Sequence, residues 1–115
     1  MKEIPSDYRI SKEKIKKYKK IAKKDYNEVT SILKTLSNHN RIKILKILRD
    51  QELCVCVLIK VMNLDYSKMS YHLKKLQKKD LITNKKEGKF SIYKITKKGK
   101  KTLKNIKTIQ DQQHQ

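Results

Sequence analysis

Two groups of residues in this chain have types and spacings that could do chemistry. The first is Cys54 and Cys56, one residue apart. Two thiolates at that separation can chelate a soft ion such as As(III), Cd(II), Pb(II) or Zn(II). Inside a regular helix, positions i and i+2 point about 200° apart. Both sulfurs therefore meet one ion only where the segment is extended or the helix start is distorted. Two other uses stay open: packing, as small and partly buried apolar residues, or a direct Cys54–Cys56 disulfide, strained and so reducible. The second group lies between Asp65 and Ile82, where Tyr66, Ser67, Lys68, Ser70, Tyr71, Lys74, Lys75, Lys78 and Lys79 surround a sparse apolar stripe and no acid stands between Tyr66 and Lys79. Hydrogen-bonding groups at the start of a helix and ammonium groups along it suit a DNA major groove, with the start facing base edges and the lysines facing phosphates. Ser67, Lys68, Ser70 and Tyr71 are the candidates for base contacts, and Lys74 and Lys75 for phosphates. A solvated, lysine-rich helix face is the ordinary alternative.

The elements that must position these residues follow from periodicity. Asp65 is a helix N-cap, and Met69, Leu73 and Leu76 fall at i, i+4 and i+7 on one face. Leu53 to Val61 reads as a brief strand or extended entry followed by a helix, and Met62-Asn63-Leu64 as a turn. Two short helices about a tight turn, the second one basic, make a helix-turn-helix. Upstream, Val29, Ile32, Leu33 and Leu36 mark a helix that reads as core. Asn38 caps another helix from Arg41 to Arg49, with Ile42, Leu45 and Leu48 inward, Ile44 and Ile47 supporting them, and an exposed His39 at its first position. Leu81, Ile82 and Thr83 begin a strand, Asn84 to Lys89 a turn containing Gly88, and Phe90 to Ile95 a second strand. A basic hairpin after a helix-turn-helix is a wing, and Lys86 and Lys89 are its candidate phosphate contacts. Thr96 caps a final helix to about Ile109. Its stripe Leu103, Ile106, Ile109 has no obvious place in a small winged core and predicts packing in a two-fold dimer.

The expected fold is mainly α (α+β): a winged helix-turn-helix with five or six helices and a two-stranded β-hairpin wing. Residues 1–24 form a basic extension that opens loosely, with a helix from Ser11 to Lys24; it carries ten Lys/Arg against three acids. Residues 25–96 form the DNA-binding domain, and 97–115 a dimerisation helix with a fraying tail. The whole chain has 115 residues and 31 Lys+Arg against 11 Asp+Glu, a net charge of +20. So basic a chain implies a polyanionic partner, of which double-stranded DNA is the leading one. A membrane is excluded as partner: no apolar run of about 18 residues exists, and the apolar face of the first helix is narrow and lacks Trp, Phe and Leu. The chain reads as cytoplasmic, a setting that disfavours a structural disulfide. No paired carboxylates, phosphate-cradling glycine loop or Ser/His/Asp arrangement suggests an enzyme.

Four stretches carry a resemblance: Leu36-Ser37-Asn38-His39-Asn40-Arg41-Ile42-Lys43-Ile44-Leu45, Met69-Ser70-Tyr71-His72-Leu73-Lys74-Lys75-Leu76, Gly88-Lys89 with Ile92-Tyr93, and Glu52-Leu53-Cys54-Val55-Cys56-Val57-Leu58. Together they resemble the ArsR/SmtB family of metal-responsive repressors: its LADPTRLRIL opening, its VSHHLKxL recognition helix, its wing and its ELCVCDL metal box. The resemblance covers roughly Val29 to Ile95. It implies a homodimeric winged-helix repressor on a pseudo-palindromic operator, released when a thiophilic ion binds Cys54 and Cys56. No obligatory cofactor is implied; As(III) or a soft divalent metal is the candidate effector. The chain departs from the family at Val57, which replaces an aspartate, at Ile59, where a third cysteine can stand, and in lacking an N-terminal cysteine. Two protein ligands are few for zinc, and a trigonal As(III) site needs a third ligand from elsewhere. Of the family's C-terminal metal site only Asp111 and His114 have counterparts, and a frayed tail is the reading preferred there. His72 matches a recognition-helix histidine with a packing or DNA-positioning role. Two alternatives remain: a winged-helix regulator gated by a partner or a thiol oxidant, since Tyr93-Lys94-Ile95-Thr96-Lys97-Lys98-Gly99 also resembles the wing end of other such regulators, and a general basic nucleic-acid-binding protein.

Overall fold

The computed structural model describes residues 3–113. Met1 and Lys2 of the loose N-terminal stretch, and His114 and Gln115 of the expected tail, lie outside the described residues. Six helices and a three-stranded antiparallel sheet form a winged helix-turn-helix.

Helix α1 (Lys12–Lys23) starts where Ser11 Oγ accepts the Lys14 N–H at 3.1 Å, and buries none of its residues. Helix α2 (Asn27–Leu36) buries only Thr35 and Leu36. The expectation that its whole apolar stripe is core is corrected: Ile32 packs against the core, but Val29 is exposed and Leu33 is 56% exposed. In α3 (His39–Asp50), capped by Asn38, the buried face is Arg41, Ile44, Leu45 and Leu48. Ile44 therefore takes the central place expected of Ile42, which is only half-buried. His39 is exposed at the first helical position.

A two-residue strand, β1 (Leu53–Cys54), leads directly into α4 (Val55–Met62). Asn63, at φ 52°, takes the left-handed conformation that asparagine tolerates and ends α4. Asp65 Oδ1 then accepts the Lys68 N–H at 2.8 Å and opens α5 (Tyr66–Lys78). Met69, Leu73 and Leu76 are sealed in the core with Leu58, Ile44 and Leu45. At the end of α5, Asp80 has φ 58°, its N–H donates to the Gln77 carbonyl, and the Leu81 N–H donates to the Leu76 carbonyl. This Schellman arrangement satisfies the last carbonyls and turns Leu81 into the core.

Strands β2 (Ile82–Glu87) and β3 (Phe90–Ile95) pair in register from Ile82↔Ile95 to Glu87↔Phe90. The expected six-residue turn is thus corrected to two residues, Gly88 and Lys89, with Gly88 at φ 59°. Ladder bonds to Tyr93, Ile92 and Ser91 carry Asn84, Lys85 and Lys86 as strand, despite their turn-like composition. The expected two-stranded wing is present, and the brief strand β1 joins it as a third strand, pairing with β3 through Leu53↔Tyr93 and Cys54↔Ile92. Helix α6 (Lys97–Gln112) starts at Thr96, whose Oγ accepts the Gly99 N–H at 3.0 Å, and it packs on α3. Its stripe does find a place in the core: Leu103 is 2% exposed and Ile106 packs beside it, leaving Ile109, 60% exposed, outside. The helix also continues three residues past the expected Ile109. No described helix is long and apolar enough to cross a membrane.

Candidate functional site

The outer face of α5 presents Ser67, Lys68, Tyr71, Lys74 and Lys75 to solvent, with Ser70 half-buried among them. The predicted base-facing residues therefore share the outer face of α5 with Lys74 and Lys75, the helix's predicted phosphate contacts. Tyr66, exposed at the first turn, belongs to the same surface. Two contacts hold Tyr71: the Arg41 guanidinium carbon lies 5.5 Å and Lys75 Nζ 5.3 Å from the ring centroid. Such cation–π contacts orient the ring without occupying its hydroxyl.

Behind that surface is a polar network. Arg41 is 8% exposed; its Nε donates to His72 Nδ1 at 3.2 Å, and its Nη1 donates to the Thr35 carbonyl at 3.2 Å. His72 is buried, and its Nδ1 must be unprotonated to accept this bond. Burial first, and the Arg41 charge second, hold its pKa below the ordinary 6.5 or so of an imidazole. The expected packing role of His72 thus has a specific form: it ties the recognition helix to α3. Arg41 itself was not singled out by sequence reasoning. A signal existed, because Arg41 shares the i, i+3, i+4, i+7 stripe with Ile44, Leu45 and Leu48.

The wing adds Lys86 and Lys89, both exposed near its tip. Lys89 Nζ lies 5.6 Å from the Phe90 ring centroid. Lys85 is differently engaged, pairing with Glu87 at 3.2 Å and Glu52 at 3.5 Å. Gln77 Nε2 donates to Asn84 Oδ1 at 3.0 Å, fastening the recognition helix to β2.

The cysteine pair sits at the β1–α4 junction. Cys54 is extended, at φ −59° and ψ 143°, and acts as the N-cap of α4; its Sγ accepts the Cys56 N–H at 3.2 Å. Of the two arrangements the spacing allowed, an extended segment or a distorted helix start, this is the first, and it brings the two sulfurs together: they are disulfide-bonded, with Cα atoms 5.2 Å apart. Cys54 is half-buried and Cys56 exposed, so packing alone does not account for the pair. No group of three or more His, Cys, Asp or Glu side chains converges among the described residues. Only when reduced does the pair offer two thiolates, and an ion held there would take its further ligands from outside this set. Asp111 lies on the last turns of α6, and its candidate partner His114 lies outside the described residues.

Comparison with known proteins agrees with this geometry. Residues 38–84 match the family model described as bacterial regulatory protein, arsR family. The chain is 33% identical over 102 residues to the cadmium resistance transcriptional regulatory protein CadC of Listeria innocua, covering 87% of this chain and 79% of that protein. It is 36% identical over 70 residues to the arsenical resistance operon repressor of Staphylococcus xylosus, covering 61% of this chain and 67% of that one. A solution structure from Mycobacterium bovis, the homodimeric winged helix-turn-helix DNA-binding domain of a possible ArsR-family transcriptional regulator, superposes with a TM-score of 0.68. That match has 22% identity and covers 74% of this chain and 80% of that one. The chain belongs to the ArsR family of bacterial regulatory proteins.

Proposed function

We propose that this regulator is a homodimeric, sequence-specific DNA-binding repressor whose hold on its operator is weakened through Cys54 and Cys56. The observation that carries the reading is the placement of both sulfurs together at the β1–α4 junction, at the start of the helix that precedes the recognition helix. β1 pairs with the wing strand β3, and α4 packs against α5. A cross-link between the two sulfurs fixes the junction and biases both DNA-contacting elements at once. In the reduced protein a thiophilic ion such as As(III) would supply that cross-link by accepting both thiolates, and the chain supplies their position. Linkage then requires that DNA and effector weaken each other equally. The same contact favours one second reading, in which a thiol oxidant takes two electrons from Cys54 and Cys56, two protons are released, and the resulting disulfide is the signal.

Ser67, Lys68, Ser70 and Tyr71 face bases in this account, and Lys74, Lys75, Lys86 and Lys89 face phosphates. Dimerisation is supported by the apolar side chains that a single chain leaves open: Tyr18 and Ile21 on α1, Val29 and Leu33 on α2, and Ile109 on α6. Two-fold pairing would present two recognition helices to successive major grooves. The names of the Listeria and Staphylococcus relatives support the resistance-repressor reading. Competition between the protein's own upstream DNA and a scrambled duplex tests it. Selective binding by a dimer is expected, with Tyr71→Ala changing the sequence preference. Equal binding to both duplexes would instead assign a general nucleic-acid-coating role.

A further inference from the structure

Resting on the DNA-binding reading, we infer that the cleft between α2, the start of α3 and the second half of α5 is a phosphodiester-binding site with Arg41 as its buried ligand. The cleft measures about 250 Å³. Its rim carries Lys34, Lys75, Lys78 and Lys79, with the Ser31 and Tyr71 hydroxyl-bearing side chains beside them, and no carboxylate lines it. Arg41 lines the same cleft while remaining more than nine-tenths buried.

A buried guanidinium is ordinarily paired with a carboxylate, because burying an uncompensated charge is costly. Among the described residues, Arg41 has no such partner; the ion pairs all belong to Lys85. Its compensation is the Thr35 carbonyl, the His72 nitrogen and the Tyr71 ring. Those use two of five N–H donors. The Nη2 nitrogen has no hydrogen-bond partner among the described residues and is not a sealed orphan, so it retains access to solvent, and Arg41 lines the cleft. A fixed guanidinium with free donors, ringed by ammonium groups, suits the tetrahedral oxygens of a phosphate.

The geometry also favours one source of that phosphate. Tyr71 and Lys75 belong both to the cleft and to the outer face of α5. A strand bordering the major groove that α5 enters therefore passes the mouth of the cleft. One phosphodiester per half-site would be gripped there, fixing the register in which Tyr71 meets a base. The neutral, accepting state of His72 holds the guanidinium in place, in keeping with its lowered pKa.

The test is a cycle between protein variants and DNA. Wild type, Arg41→Lys and Lys78→Ala dimers are titrated onto operator duplexes carrying single neutral methylphosphonate linkages, scanned across one half-site. Arg41→Lys keeps a charge but loses the fork. Wild type should lose roughly ten-fold in affinity at one linkage. Arg41→Lys should be about ten-fold weaker on every sequence and lose nothing further at that linkage. Lys78→Ala should reduce the salt slope by about two in the dimer. Should Arg41→Lys melt below the assay temperature, the Lys78→Ala cycle decides alone. Wild-type affinity in both variants, or penalties that add at every linkage, would overturn the site while leaving DNA binding intact. Inorganic phosphate is titrated in parallel by thermal shift; stabilisation of wild type but not of Arg41→Lys, with additive DNA penalties, would reassign the cleft to free phosphate. Failure of wild type to bind any duplex would refute the DNA-binding reading instead.

Discussion

Replacing Lys74 with alanine separates phosphate contact from general basicity. Lys74 is exposed on α5, and among the described residues the ion pairs involve only Lys85. The proposed phosphate contacts Lys74, Lys75, Lys86 and Lys89 occur twice in a dimer. Eight neutralised phosphates give a slope of log K against log salt of about −7. Between 50 and 200 mM salt, that slope corresponds to a loss of about 10⁴ in affinity. Lys74→Ala removes two contacts, bringing the slope to about −5 and the loss to about 10³. Lys85→Ala provides the comparison: Lys85 is already paired with Glu52 and Glu87, so its removal should change the slope far less. Fluorescence anisotropy over a salt series, on operator and scrambled duplexes, reads both numbers. The reasoning fails if Lys74→Ala leaves the slope unchanged, if Lys85→Ala lowers it equally, or if Lys74→Ala weakens one sequence and spares the other.

Three further outcomes are expected. His72 has a folded pKa below its unfolded value, so the unfolded chain binds more protons between them. Its contribution is complete above about pH 6.5 and is lost as pH falls through the lowered folded value; urea melts from pH 7 to pH 5 should show this loss in wild type and not in His72→Gln, and equal losses would exclude His72 as the cause. Gly99→Ala should destabilise by about 1–2 kcal/mol, because the new methyl would strike the Leu81 carbonyl and lie 2.7 Å from Ile95 Cγ1, an overpacking cost that exceeds the gain in helix propensity. Leu81 cannot easily yield, since its carbonyl accepts the Thr96 N–H and hydroxyl; a melt unchanged or improved would refute this. Leu33→Asp removes a side chain that is 56% exposed in the single chain; loss of about 2–3 kcal/mol across two copies would weaken the dimer roughly a hundred-fold by sedimentation, and an unchanged association constant would remove α2 from the interface.

Much of the fold was legible because local chemistry and long-range packing agree. The Asp65 cap and the Met69, Leu73, Leu76 stripe specify α5, and the alternation from Phe90 to Ile95 specifies β3 without error in its ends. The composition from Asn84 to Lys86 pointed to a turn, but cross-strand pairing with β3 carried it as strand. Periodicity also tells which residues share a face and not what covers that face. Hence Leu103 was assigned to a dimer although α3 covers it, while Leu33 was assigned to a core that leaves it open. At the cysteine pair, the 200° argument left two ways for both sulfurs to meet one ion, an extended segment or a distorted helix start, and the Cys54 backbone is extended. The pairing of β1 with the wing was not legible, because nothing in Leu53 or Cys54 names a partner some forty residues away. Arg41 was missed for a different reason: a cation on an apolar stripe reads as solvent-facing until its partners, His72 above all, are known.

The most direct measurement titrates reduced protein onto its own upstream DNA by fluorescence anisotropy, with and without arsenite, beside a Cys54→Ser/Cys56→Ser double variant. Arsenite is expected to release the wild type and leave the double variant bound. Wild type that stays on its DNA at saturating arsenite, or a double variant that is released equally, would contradict arsenite sensing through the cysteine pair.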